Sequence, residues 1–132
     1  MTQVKGTFEV RSSPLDADEV TRELGAMRMK FEKQFDGPLT ATSLVSMIGV
    51  MDRATGSGAY VAIEKVVGQL EGRSGSFLFQ HSSAMDRGKP RQSILVVPDS
   101  GTADLTGLRG EMIVDITDGQ HFYTFDYELS LR

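Results

Sequence analysis

Gly58–Ser82 reads GAYVAIEKVVGQLEGRSGSFLFQHS, two runs of apolar and β-branched residues separated by Glu71-Gly72. A glycine that accepts positive φ between two such runs marks a tight hairpin turn. Setting Leu70 opposite Arg73 puts Glu64 across from Phe79 and Ala62 across from His81. Side chains alternate faces along a strand, so Tyr60, Ala62, Glu64, Val66 and Gly68 share a face with Gly75, Phe77, Phe79 and His81. That face is mostly apolar and carries one carboxylate, one imidazole and one phenol. It suits the wall of a ligand cavity, and it equally suits a core with a few satisfied polar groups.

The same period of two continues on both sides of the hairpin. Val4, Gly6, Phe8 and Val10 alternate with Lys5, Thr7, Glu9 and Arg11, and Met27, Met29 and Phe31 alternate with Arg28, Lys30 and Glu32. Both patterns describe strands with one buried face. Asp36-Gly37-Pro38 ends the second, and Leu39–Met51 forms a third, closed by the glycine-rich Asp52–Gly58. After a loop over Met85–Lys89, Pro90–Pro98 carries strand six, which Pro98 stops because proline cannot donate to a ladder. Glu111–Thr117, the turn Asp118-Gly119 and His121–Leu131 supply strands seven and eight. Ser12–Glu23 reads as a polar loop with one helical turn; a helix starting at Ser13-Pro14, or one running on from near Asp16, competes on propensity. Eight short strands joined by turns predict an all-β, eight-stranded antiparallel up-and-down barrel, closure removing the exposed edges.

Composition excludes several functions. A chain of 132 residues with 39% hydrophobic and 24% charged residues is expected to be one globular domain over 1–132. The longest uncharged run, Gly37–Met51, is too short and too polar to span a bilayer. Lys5 and Glu9 interrupt any apolar leader after Met1, so the expected location is cytoplasmic, with no membrane partner. The absence of cysteine removes disulfides, thiolate metal sites and a cysteine nucleophile, and two histidines leave little for zinc. No metal and no cofactor are expected. The net charge of -4 and scattered basic residues argue against nucleic acid. Arg28, Lys30 and Lys33 lie close together with Glu32 among them, which reads as a solvated strand face.

VKGTFEV near the start, VAIEKVVGQLEGRSGSFLFQHS, VVPDSGTADLTGLRGE and HFYTFDYEL resemble a small uncharacterised bacterial family with a barrel similar to that of plant allene oxide cyclases. The resemblance covers nearly the whole chain except Ser12–Glu23 and is most specific at Ser100–Gly110, SGTADLTGLRG. It implies the allene-oxide-cyclase-like barrel. Because cyclases of that kind are trimeric and bind an apolar substrate inside, it also implies a homo-oligomer and an apolar ligand. Fold does not carry activity with it, and no cyclase catalytic residue matches a position here.

The candidate ligand cavity comprises Tyr60, Glu64, Phe77, Phe79 and His81. A carboxylate beside an imidazole on an apolar wall can orient and charge it as an acid/base pair; the alternative pairs Glu64 with a Lys or Arg at the barrel mouth and leaves His81 structural. Asp126 and Glu128 share the less aromatic face of strand eight, so solvation or pairing with Arg28 or Lys30 is expected rather than a two-carboxylate hydrolytic site. Ser100–Gly110 lacks the lysine-serine pair and following helix of a phosphate loop and reads as turn chemistry; Arg109 there is expected to reach carbonyls or solvent. Met27, Met29, Met47, Met51, Met85 and Met112 read as core filling, with an adaptable ligand lining as the alternative. His121, beside a turn, is expected to be exposed. The leading function is binding of a small, largely apolar molecule inside the barrel. The alternatives are a cofactor-free isomerase or cyclase using the same residues, and a packed structural or oligomeric barrel with no ligand.

Overall fold

The computed structural model describes residues 1–130, and within them eight antiparallel strands close into a barrel in sequence order, β8 returning to pair with β1. The strands are β1 (Thr2–Leu15), β2 (Met27–Asp36), β3 (Leu39–Asp52), β4 (Ser57–Leu70), β5 (Arg73–Asp86), β6 (Lys89–Val96), β7 (Leu108–Thr117) and β8 (Gln120–Leu129). The expected end of strand eight at Leu131 lies outside the described residues. The central hairpin has the register its turn dictates: Leu70 faces Arg73, Glu64 faces Phe79 and Ala62 faces His81. Glu71 and Gly72 both have positive φ, 48° and 83°, the combination whose twist matches the flanking strands.

The region between β1 and β2 holds the expected single helical turn, but residues 12–15 extend β1 instead of opening a loop. Ser13-Pro14 lies inside β1, where Pro14 sits opposite Met29, so it starts no helix. The single helical turn comes later, as α1 (Glu19–Glu23), because Asp18 accepts a hydrogen bond from the Thr21 N–H at 2.8 Å and caps it.

The two ends of the barrel are built differently. At the end where β1 begins, Phe77, Phe79 and Phe125 pack with ring centroids 5.1, 5.6 and 6.1 Å apart, and all three are at most 1% exposed. The segment after β6 seals this end. β6 and β7 share one ladder pair, Leu95 opposite Glu111, so the lower part of β5 lacks a strand partner. Val97 and the Ser100–Gly110 segment take that place: the Leu78 N–H donates to Ser100 Oγ and the Ser76 N–H to Thr102 Oγ1, each at 3.0 Å. The Thr102 N–H returns a bond to the Ser76 carbonyl at 2.8 Å. Gly75 is required here because a Cβ would collide with the Thr102 carbonyl. The 3-10 turn Ala103–Leu105 then drives Leu105 into the barrel end, 1% exposed. The glycine-rich segment therefore acts as structural turn chemistry.

Tyr123 fastens the β2–β3 corner to the same end. Its buried hydroxyl accepts the Leu39 N–H at 3.0 Å and donates to the Asp36 carbonyl at 3.0 Å. Burial, opposed in part by the Leu39 bond, raises its pKa. Replacing Tyr123 with phenylalanine leaves a buried N–H without an acceptor and is expected to cost about 1–3 kcal/mol, measured as a lower urea midpoint with an unchanged slope.

Candidate functional site

Alternation carries inward-facing residues up each strand toward the opposite end, where the β1–β2, β3–β4, β5–β6 and β7–β8 connections lie. There the interior is hollow. A cavity of about 180 Å³ is lined by Phe8, Val10, Phe31, Val45, Met47, Ala62, Ile94 and Val114, together with Lys33, Tyr60, His81, Gln92 and His121. Beyond it, Met27, Met51 and Met85 border a smaller recess around Gly49 and Tyr60. Flexible thioethers therefore edge the open end, while Met112, 4% exposed, fills the core.

The floor of this cavity is a buried polar cluster. Glu64, 1% exposed, is contributed by β4, and its carboxylate collects three donors. His81 Nε2 on β5 and Lys33 Nζ on β2 share Oε1, at 2.6 and 3.2 Å, and the Ser43 hydroxyl on β3 binds Oε2 at 2.5 Å. Burial on its own would push the Glu64 carboxyl up. The bonds from His81 and Ser43 and the Lys33 charge outweigh it and hold the carboxyl below its ordinary value. The Lys33 ammonium also lies 5.2 Å from the Phe8 ring centroid and 5.8 Å from that of Phe35, a second stabilisation for a cation largely out of water.

At the rim, Gln92 Nε2 donates to Tyr60 Oη at 2.9 Å, leaving the phenol O–H free to donate. The His121 ring packs on Phe8, centroids 5.0 Å apart. Tyr60 and His81 thus border the cavity directly, and Glu64 lies behind Lys33 and His81. Phe77 and Phe79 belong to the packed end beneath the cluster and do not line the cavity.

Two expectations are corrected. Lys33 is not part of a solvated face: Phe31, Lys33 and Phe35 share parity, and the Lys33 side chain is 12% exposed beside Glu64. Arg28 and Lys30 do face outward, with Arg28 bonding the Met47 carbonyl at 3.0 Å and Lys30 pairing with Glu32 at 3.3 Å. His121 is not a free surface residue, because its parity with Tyr123, Phe125 and Tyr127 turns it inward at the mouth. Asp126 stays on the outer face, accepting from Gln3 Nε2 at 2.8 Å. Lys33, Ser43, Gln92 and His121 were all identifiable from strand parity once the inward face of each strand was assigned. A larger concavity on the outside, lined by Glu9, Arg11, Glu32, Gln34, Thr42 and Lys65, is an open charged trough between strands. Among the described residues no group of histidine and carboxylates is placed to hold a metal ion, and no helix is long and apolar enough to cross a membrane.

Comparison with curated proteins finds no match. Among solved structures, a protein of unknown function from the DUF3224 family of Shewanella oneidensis MR-1, known from a crystal structure at 1.84 Å resolution, is 44% identical. The alignment covers 99% of each chain with a TM-score of 0.90. Residues 4–127 match the family described as "Protein of unknown function (DUF3224)". With that span and that level of identity, the chain belongs to the DUF3224 family.

Proposed function

We propose that the protein binds a small, largely apolar molecule in the open half of its barrel. One observation carries the reading: the interior is packed at one end and hollow at the other, and the hollow part is apolar-walled over a charged floor held together by the Glu64 hydrogen bonds. A barrel built only for structure would gain by filling that volume, since voids forfeit dispersion contacts. Eight strands is the size at which an interior is either filled by side chains or holds one small ligand. A space of about 180 Å³ suits a single ring with a short substituent, because an apolar cavity of about 150 Å³ accepts benzene. Tyr60, with its phenol proton free, and Lys33 and His81, on the floor, would orient a ligand's acceptor group.

Native mass spectrometry of freshly purified protein tests this, compared with the same sample denatured. The expected result is a reproducible extra mass lost on denaturation. A clean mass, together with no binding of single-ring ketones at millimolar concentration, would overturn the reading. The same spectrum gives the oligomeric state. We propose a homo-oligomer, supported by Leu44, Val61, Ile63 and Val67 standing at least half exposed on the outer face of β3 and β4. A cytoplasmic setting completes the proposal, supported by a sequence without cysteine, which needs no oxidising compartment.

A further inference from the structure

We infer that the cavity is a proton-transfer site for carbonyl compounds with acidic C–H bonds, in which His81 is the base, Lys33 holds the developing oxyanion and Glu64 positions both. The inference rests on the binding reading above and adds the chemistry of the bound molecule.

Three observations combine to support it. His81 Nε2 faces the Glu64 carboxylate at 2.6 Å, an acceptor that takes a proton from Nε2, so in the neutral ring the lone pair lies on Nδ1. His81 borders the cavity, its only hydrogen bond among the described residues is through Nε2, and no buried side-chain nitrogen lacks a partner. The unpartnered Nδ1 is therefore the part of the ring that the cavity reaches. Lys33 Nζ shares the same carboxylate oxygen at 3.2 Å and also borders the cavity, which puts a cation beside the base. Glu64 alone makes a structural cluster. A basic nitrogen and an ammonium group side by side under an apolar, single-ring space make an enolisation site, because the base needs a dry partner and the enolate oxygen needs a preorganised charge.

The step balances without any co-reactant. His81 Nδ1 removes a proton from the carbon next to the carbonyl, the C–H electron pair moves into the C–C bond, and the carbonyl π pair moves to oxygen. Lys33 stabilises that oxygen while the imidazolium, paired with Glu64, retains the proton. Returning it to the same carbon regenerates the ketone, which carries deuterium when the imidazolium has first traded its proton with heavy water, and returning it to a conjugated position gives an isomer. Tyr60 faces Ser83 on β5, and His81 lies diagonally two residues along, about 7–8 Å away as for diagonal neighbours in a sheet. The Tyr60 O–H is thus the rim group that supplies a proton to the far end of a conjugated ligand.

The test uses acetophenone, phenylacetone and 2-indanone with the purified full chain in heavy water. Proton NMR follows both ligand line broadening, for binding, and loss of the acidic C–H signal, for exchange. Of these ketones, phenylacetone and 2-indanone carry the benzylic C–H best suited to the step. The wild type is expected to exchange at least one of them about 100-fold faster than free imidazole at equal concentration, the lower range for a positioned acid/base group. H81A should fall to background while still broadening the ketone lines. K33M should slow exchange of the bound ketone about tenfold, read at saturating ketone so that a change in affinity does not enter the rate. E64Q, as a positioning change, should shift the pH profile of exchange, which a merely structural role would not move. Ketones that bind without exchange above the imidazole background, or exchange that survives H81A, would overturn the proton-transfer inference while leaving binding intact. No binding of any of the three would overturn both readings.

Discussion

Replacing Glu64 with leucine is expected to destabilise the barrel by about 3–5 kcal/mol, the usual cost of leaving one member of a buried ion pair without its partner. The wild-type carboxylate is 1% exposed and satisfies three donors; leucine fills similar space and satisfies none. Lys33 would remain as a cation with 12% side-chain exposure and only aromatic faces beside it. A second change isolates the cause. Adding Lys33→Met should return most of the lost stability, because an apolar pair in place of a buried ion pair is often neutral or better. A double-mutant cycle from urea titrations followed by tyrosine fluorescence measures the coupling. If Glu64→Leu costs under about 1 kcal/mol, Lys33 reaches water through the open mouth and the pair contributes little, as exposed pairs do. The same carboxylate predicts a pH effect. Its pKa is lower in the folded chain than in the unfolded one, so the folded state binds fewer protons. The stability it supplies is complete above the ordinary value of 4.5 and is lost as pH falls through the lowered folded value. The slope of stability against pH below 4.5 should therefore be shallower in the doubly substituted protein than in the wild type.

What the sequence made legible and what it hid follow from the same physics. A two-residue hairpin fixes register, and register fixes faces, so GAYVAIEKVVGQLEGRSGSFLFQHS was enough to place Glu64, His81 and Tyr60 inside one wall. Alternation in β1 and β8 did the same for Phe8 and Phe125. Lys33 defeated a reading based on charge, because three nearby cations suggest solvent whereas parity with Phe31 and Phe35 gives the true side. A long-range pairing, Lys33 with Glu64 across β3, is what makes an inward lysine tolerable, and no local pattern announces it. The single helical turn lies within the stretch expected for it, and only the start of that stretch differs, for a related reason. Pro14 is acceptable in a strand end, and Asp18 is the better cap. The division into packed and hollow ends was out of reach of periodicity altogether. It depends on Leu105, delivered by an irregular segment that stands in for a strand beside β5.

Removing the Phe125 ring tests that division directly. Phe125→Ala is expected to cost about 3–5 kcal/mol, since the lost transfer energy is joined by a cavity the surroundings cannot close. Phe77 stacks on it at 6.1 Å, Phe79 meets it edge-on at 5.6 Å and Tyr127 lies 5.5 Å away, each held by its own strand pairing. These rings share one buried cluster with Leu105 and Leu108, which seal that end. Phe31→Ala removes a ring of the same size from the cavity wall, where one side already faces open volume. Its cost should be well below that of Phe125→Ala, because fewer contacts are lost and no new enclosed void forms. The readouts should cross: Phe125→Ala lowers the unfolding midpoint while leaving ketone line broadening in the surviving folded fraction, and Phe31→Ala weakens the broadening while moving the midpoint little. Equal costs for the two substitutions would mean that the upper half is packed as tightly as the lower, and the barrel would have no room for a ligand. Unequal costs in the stated order locate stability at the sealed end and leave the other end free to bind, which is how a small barrel can keep a charged cluster and an empty space in one interior without unfolding.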